Sequence, residues 1–220
     1  MVWGVKYSRI PAKIVQMIKI IDYGLGNVQA FLNIYKILHI PVQVAKSAED
    51  LNNATKLILP GVGHFDYAMQ SFNVSGMREK VTELVLQRNI PILGVCVGMQ
   101  MMADSSEEGE ECGLGWIHGV VKGLASIVKN NEPLPHMGWN NIQTHHEKGL
   151  FKNMNSGDLE FYFLHSFYFD CASRANCIAE ANYSSNFCCA VNNKNIFGVQ
   201  FHPEKSHHYG VNLLKNFAEI

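Results

Sequence analysis

The chain predicts an α/β fold: a mostly parallel central sheet with flanking helices and a strand-rich C-terminal half. Three observations carry that expectation. Short apolar runs alternate with helical patterns as far as Gly98. Several of these runs lead into turns rich in glycine. Beyond Gly98 the pattern shortens into successive strands.

Met17 to Asp22 reads as the first strand, followed by the turn Asp22-Tyr23-Gly24-Leu25-Gly26-Asn27 and a helix near Val28 to Leu38. That turn holds only G-x-G, with no acid at ribose-binding distance, so no dinucleotide site is expected. A short strand near Val42 to Val44 precedes a helix starting at Ser47, with Asp50 in the capping-box position. Lys56 to Leu59 forms a third strand ending at Pro60-Gly61-Val62-Gly63, and a helix from about Gly76 to Arg88 leads to the run Ile90-Pro91-Ile92-Leu93. Further strands are expected at Trp116 to Val121, Gly138 to Thr144, Glu160 to Phe169, Ile178 to Tyr183, Cys188 to Val191 and Ile196 to Phe201. The polar turn Asn192 to Asn195 should join the last two as a hairpin, and Ser206 should cap a closing helix. Residues 1–16 carry Lys6, Arg9 and Lys13 with no clear period, so they read as either an extension or the product of a mis-chosen start codon, ahead of a single domain over 17–220.

Composition narrows the function classes. A chain of 220 residues with 47% hydrophobic and 17% charged residues can build one substantial core. Its net charge of -1, without a long basic run, points away from nucleic acid and anionic membrane surfaces. No apolar stretch is long enough to span a bilayer and no secretory signal is evident, so a cytoplasmic protein is expected. The six cysteines show no C-x-x-C spacing, which suits reduced thiols better than a disulfide framework or a metal site. Adjacent Cys188 and Cys189 would point to opposite faces of a strand and pack.

The chemistry concentrates at Gly94-Val95-Cys96-Val97-Gly98. A cysteine on a tight strand-to-helix turn between glycines is a nucleophile elbow, G-x-C-x-G, with the helix dipole favouring thiolate. The alternative for the pentapeptide alone is a small buried cysteine between packing glycines. Phe201-His202-Pro203-Glu204 follows a predicted strand, and His202 and Glu204, two apart in extended chain, share a side. A thiol needs a base, and the base needs an acid to hold its tautomer. Cys96, His202 and Glu204 supply one of each from strands expected to end at one sheet edge.

Gly94 to Gln100 together with Phe201-His202-Pro203-Glu204-Lys205-Ser206 resembles the class I glutamine amidotransferases, a family with a flavodoxin-like sheet. Pro60 to Gly63, Pro135-His136-Met137-Gly138-Trp139-Asn140 and Tyr162-Phe163-Leu164-His165-Ser166-Phe167 are similar, more narrowly, to the glutaminase subunits of imidazole glycerol phosphate synthase. The resemblance runs from Met17 to the C-terminus. It implies that Cys96 attacks the glutamine carboxamide, with His202 as base and acid and Glu204 orienting it. It also implies oxyanion donors at Val97 and in Gly61, Val62 and Gly63, and substrate contacts at Gln100, Glu108, His165, Ser166 and Phe167. No cofactor or metal is implied. The partner would be a (β/α)8 synthase subunit, meeting Asn27, His136, Met137, Trp139, Asn140, Tyr162 and Lys205 and receiving ammonia through a channel. Taken alone, Glu108 reads as a solvated acid in the run Glu107 to Glu111, and Met137 and Trp139 read as strand packing.

His64, Val97, Trp116-Ile117-His118-Gly119 and the tail Lys205 to Gly210 depart from the family pattern. They leave the triad untouched and bear on the ammonia acceptor. The alternative acceptor is a sugar amidation enzyme of surface-polysaccharide synthesis. A more distant alternative is a cysteine α/β-hydrolase, whose acid would precede its histidine.

Overall fold

A computed structural model describes residues 16–129, 132–145, 149–154 and 159–220. Nine strands form one sheet: β1 (Ile18–Ile21), β2 (Val42–Ala45), β3 (Lys56–Gly61), β4 (Ile92–Cys96), β7 (His136–Thr144), β8 (Glu160–His165), β10 (Cys177–Tyr183), β11 (Ser185–Asn193) and β12 (Ile196–Val199). Their order is β2-β1-β3-β4-β12-β11-β10-β7-β8. The first five are mutually parallel, whereas β11, β10, β7 and β8 continue the sheet antiparallel. A smaller sheet joins β5 (Ser105–Ser106), β6 (Gly119–Gly123) and β9 (Phe167–Cys171) in the order β5-β6-β9. The α/β class and the strand-rich second half thus match expectation.

The burial pattern explains the sequence pattern. β1, β3 and β4 are buried along their whole length, which is why they read as continuous apolar runs rather than alternations. Helix α1 (Val28–Ile37) lies on one side, its Tyr35 hydroxyl donating to the Leu214 carbonyl (3.0 Å) of the closing helix α5 (His207–Glu219). The β11–β12 hairpin forms as expected, with Lys194 at φ 55 in its turn.

Three local expectations are corrected, and one helix went unread. The helix expected from Ser47 is a single 3-10 turn, Glu49–Leu51, although the capping box itself forms: Asp50 accepts from Ser47 N (3.0 Å) and Ser47 Oγ accepts from Asp50 N (3.3 Å). The turn stops because Asn52 leaves the helical region at φ -60 and ψ 143. Helix α2 (Phe65–Val74) was not expected, although buried Phe65, Ala68, Met69 and Phe72 repeat at helical spacing. The run Glu160 to Phe169 is two strands in two sheets, parted at Ser166. Ser206 precedes α5 but does not cap it; its hydroxyl donates to the His202 carbonyl (2.6 Å) and accepts from Tyr162 N (3.0 Å). The expectation for residues 1–16 falls outside the described residues except at Gln16, whose side chain donates to the Ala218 carbonyl.

Candidate active site

Cys96 ends β4 and begins the short helix α4 (Val97–Gln100) at φ 55 and ψ -116, a left-sided backbone that costs energy for any residue with a Cβ. Two close approaches hold this elbow. Gly61 lies in register with Cys96 across β3 and β4, and a Cβ on Gly61 would sit 2.4 Å from Gly98 N. A Cβ on Gly98 would sit 2.0 Å from the Leu59 carbonyl oxygen. Only glycine fits at either position, so the turn Pro60 to Gly63 lies directly against the start of α4. Buried Tyr23 ties down that turn by donating to the Pro60 carbonyl (2.8 Å). Burial first, then the charge of Cys96, pushes its phenol up and keeps it a neutral donor.

The imidazole arrives on the neighbouring strand. β12 runs parallel to β4, with Val199 opposite Val95, so both chains emerge on the same edge. His202 lines the same pocket as Cys96, and its Nδ1 lies 2.9 Å from Glu204 Oε1. Burial on its own lowers the imidazole, but the Cys96 and Glu204 interactions outweigh it and push His202 up to about 10. The Glu204 side chain is 2% exposed, and Oε2 has no hydrogen-bond partner among the described residues. A carboxylate so poorly solvated exerts its field on the imidazolium undiminished.

Cys96 and His202 open onto a pocket of about 270 Å³, also lined by Val62, Gly63, Val97, Gln100, Glu108, Leu164, His165, Ser166 and Phe167. The residues assigned by resemblance to the nucleophile, base, oxyanion turn and substrate contacts therefore meet around one cavity, apart from Gly61 and Glu204 just behind it. Gln100 is buried and donates to the Phe167 carbonyl (3.2 Å) and to Gln200 Oε1 (3.0 Å). Glu108 is not a free acid of a solvated run, because its Oε2 accepts from Phe65 N (2.8 Å) at the start of α2. His64 caps the same helix, its Nδ1 accepting from Asp66 N (3.2 Å), which explains a large residue at that position. His165 is fully paired: Nδ1 donates to the Phe167 carbonyl (2.8 Å) and Nε2 faces His136 Nδ1 (2.9 Å). Burial pushes His165 down to about 3, so it is a neutral wall of the pocket rather than a second base.

Beside the pocket, Met137, Trp139, Leu134 and Leu164 are exposed apolar residues. Trp139 stacks on His207 (centroids 5.0 Å apart), and Lys205 Nζ lies 5.6 Å from the Tyr162 ring centroid. Asn27 is exposed and caps α1, and Asn140 donates to the Asn182 carbonyl (2.9 Å), whereas His136 turns inward to His165. Sequence reasoning passed over Gln200, whose Nε2 donates to Cys96 Sγ (3.6 Å); its place in the run before His202 was the available signal. Away from the site, His145, Cys177 and Glu180 bring candidate ligand atoms within 4.8 Å of one another, but Glu180 is already engaged by His145 and Arg174. No described helix is long and apolar enough to cross a membrane.

A strained cysteine, a base on the adjacent parallel strand and a shared cavity define a thiol amidohydrolase-type centre. The family model for glutamine amidotransferase class-I matches residues 15–220, and the chain belongs to that family. The solved structure of a glutamine amidotransferase superimposes with a TM-score of 0.72 at 17% identity, covering 92% of this chain and 99% of that one. PurLQS from Thermotoga maritima gives 0.72 at 15%, covering 93% of this chain and 98% of that one. Within the family the chain falls among sequences described as imidazole glycerol phosphate synthase subunit HisH. It is 56% identical over 210 residues to that of Bdellovibrio bacteriovorus and 49% over 205 residues to that of Leptospira interrogans, each match covering 93% of this chain and 100% of the relative. HisH 2 of Pseudomonas aeruginosa is 42% identical over 204 residues, with the same coverage.

Proposed function

We propose that this chain is the glutaminase subunit of imidazole glycerol phosphate synthase, hydrolysing glutamine and passing ammonia to its synthase partner in histidine biosynthesis. The identity to HisH sequences over their full length supports the pathway. The single structural observation that supports the chemistry is the strained Cys96 sharing one pocket with a His202 that Glu204 holds.

Cys96 attacks the carboxamide carbon. The oxyanion that forms is met by backbone N–H groups at Val97 and in the turn Gly61-Val62-Gly63. His202, protonated beside the sulfur, hands its proton to the departing ammonia, then takes one from the water that cleaves the thioester to glutamate. Glu204 fixes the ring and offsets the imidazolium charge. Gln100, Glu108, His165, Ser166 and Phe167 hold the substrate. The reaction as written needs no cofactor or metal.

Ammonia released into bulk water would be protonated and lost, so the partner must cover the site. We assign that role to a (β/α)8 subunit seated on the exposed Met137 and Trp139, with Asn27, Asn140, Tyr162 and Lys205 around them; exposed aromatic and methionine residues next to an active site suit such an interface. His136 supports that face from beneath. We place the enzyme in the cytoplasm, with residues 17–220 as the working domain and neither nucleic acid nor membrane as a partner. Replacing Cys96 by alanine in the complex should abolish glutamine-dependent synthesis and leave ammonia-dependent synthesis intact. Glutamine turnover by Cys96→Ala would overturn the assignment.

A further inference from the structure

We infer that Gln200 is a positioning residue that links the nucleophilic sulfur to the side chain holding the substrate. The inference rests on Cys96 being the nucleophile, as proposed above, and on three observations.

The first is direction. Gln200 and His202 lie two apart just beyond β12, and the bend there brings Gln200 Nε2 to Cys96 Sγ (3.6 Å) while His202 lines the same pocket as Cys96. The sulfur therefore has an N–H donor of its own from Gln200, distinct from the imidazole that shares its pocket. The second is polarity. Gln200 Nε2 donates to Cys96 Sγ (3.6 Å) while its Oε1 accepts from Gln100 Nε2 (3.0 Å). Gln100 also donates from Nε2 to the Phe167 carbonyl (3.2 Å), which commits its two N–H groups and leaves Oε1 to accept a hydrogen bond. A primary amide or ammonium group, the donors of glutamine, is what such an acceptor takes. The third is burial. Gln200 is 0% exposed and its backbone N–H donates to the Cys189 carbonyl (2.8 Å), so the amide has no solvent to turn towards. A donor fixed in a dry site stabilises a sulfur anion without reorganising.

Two substitutions separate this role from simple packing. Gln200→Met keeps the volume and removes both polar groups. Alkylation of Cys96 by iodoacetamide at pH 7, followed by peptide mass, should slow about tenfold, the effect of one hydrogen bond to a charged group. Its pH profile should move upward, and KM for glutamine should rise as Gln100 loses its acceptor. Gln200→Glu retains that acceptor but offers the sulfur no donor. Its alkylation should be slow while KM stays within about threefold of wild type. Should neither variant fold, the side-chain ¹⁵N resonance of Gln200 in the intact protein decides: it should move when Cys96 alone is alkylated. Wild-type alkylation profiles and KM values in folded variants, or a Gln200 resonance indifferent to Cys96, overturn the inference. Its failure is distinct from failure of the proposed function, since that would appear as glutamine turnover by Cys96→Ala.

Discussion

Gly98→Ala tests whether the elbow is held by backbone against backbone. The added Cβ would stand 2.0 Å from the Leu59 carbonyl oxygen and 2.9 Å from its carbon, where ordinary contact begins at 3.4 Å. The obstacle cannot rotate away, because β3 is locked between β1 and β4. Overpacking of cores costs about 1–3 kcal/mol, and a clash with immovable backbone belongs at the top of that range. At about 2–4 °C per kcal/mol for a domain of this size, the melting temperature should fall by roughly 6–12 °C. Activity should suffer more than stability. Opening α4 from β3 by about an ångström carries Cys96 away from the turn Pro60 to Gly63, a displacement worth about 100-fold in rate. Gly76→Ala is the control: its φ is 70 with no atom within 4 Å of a new Cβ, so it should lose about 1 kcal/mol of stability and no activity. Differential scanning fluorimetry and glutaminase assays on both variants suffice. A Gly98→Ala enzyme with wild-type melting temperature and kcat/KM would refute the close contact.

The elevated pKa of His202 has a consequence for stability. Held near 10 against 6.5 when unfolded, its proton stabilises the fold fully below pH 6.5, and that contribution is lost as pH rises through 10. Melting temperature should therefore decline from pH 7 to 10, and Glu204→Gln should flatten the decline while lowering kcat by 100- to 10,000-fold; an unchanged slope in that variant would show that Glu204 does not hold the proton. Trp139→Ala should leave the melting temperature of the isolated subunit within a few degrees and weaken binding to the synthase subunit by about 30-fold, or about 2 kcal/mol, in calorimetric titration. Undiminished affinity would remove this face from the docking surface.

The parallel half of the sheet was legible because burial on both faces writes itself as uninterrupted apolar runs, as in Lys56-Leu57-Ile58-Leu59 and Ile92-Leu93. The pairing of Cys96 with His202 was legible because strand ends in such a sheet share an edge. Other features depended on partners distant in the chain. Nothing local to Ser166 announces that the strand changes sheets there, since β8 pairs with β7 and β9 with β6. Ser206 looks like a helix cap until Tyr162 N and the His202 carbonyl are brought to its hydroxyl. Glu108 looked like one acid among several because the N–H it accepts from, at Phe65, lies 43 residues earlier. Helix α2 is a different kind of omission, because its periodicity was present in Phe65, Ala68, Met69 and Phe72 and was passed over.

The pairing of β12 with β4 also bears on how such a molecule diversifies. Between Cys96 and His202 the chain makes a long excursion through both the antiparallel extension and the small sheet, then returns to the very strand it left. The spacing of thiol and imidazole is set by four consecutive residue pairs, Ile92 to Val95 against Ile196 to Val199, and is braced from the excursion by β8, whose Tyr162 carbonyl accepts from His202 N (2.9 Å). Loops of the excursion that lie away from Glu108 and from Tyr162 to Phe167 are free to lengthen, shorten or acquire new surfaces without disturbing the reacting atoms. One catalytic pair is thereby available to many different neighbours, met by the parts of the detour that lie outside the pocket wall of Glu108 and Leu164 to Phe167.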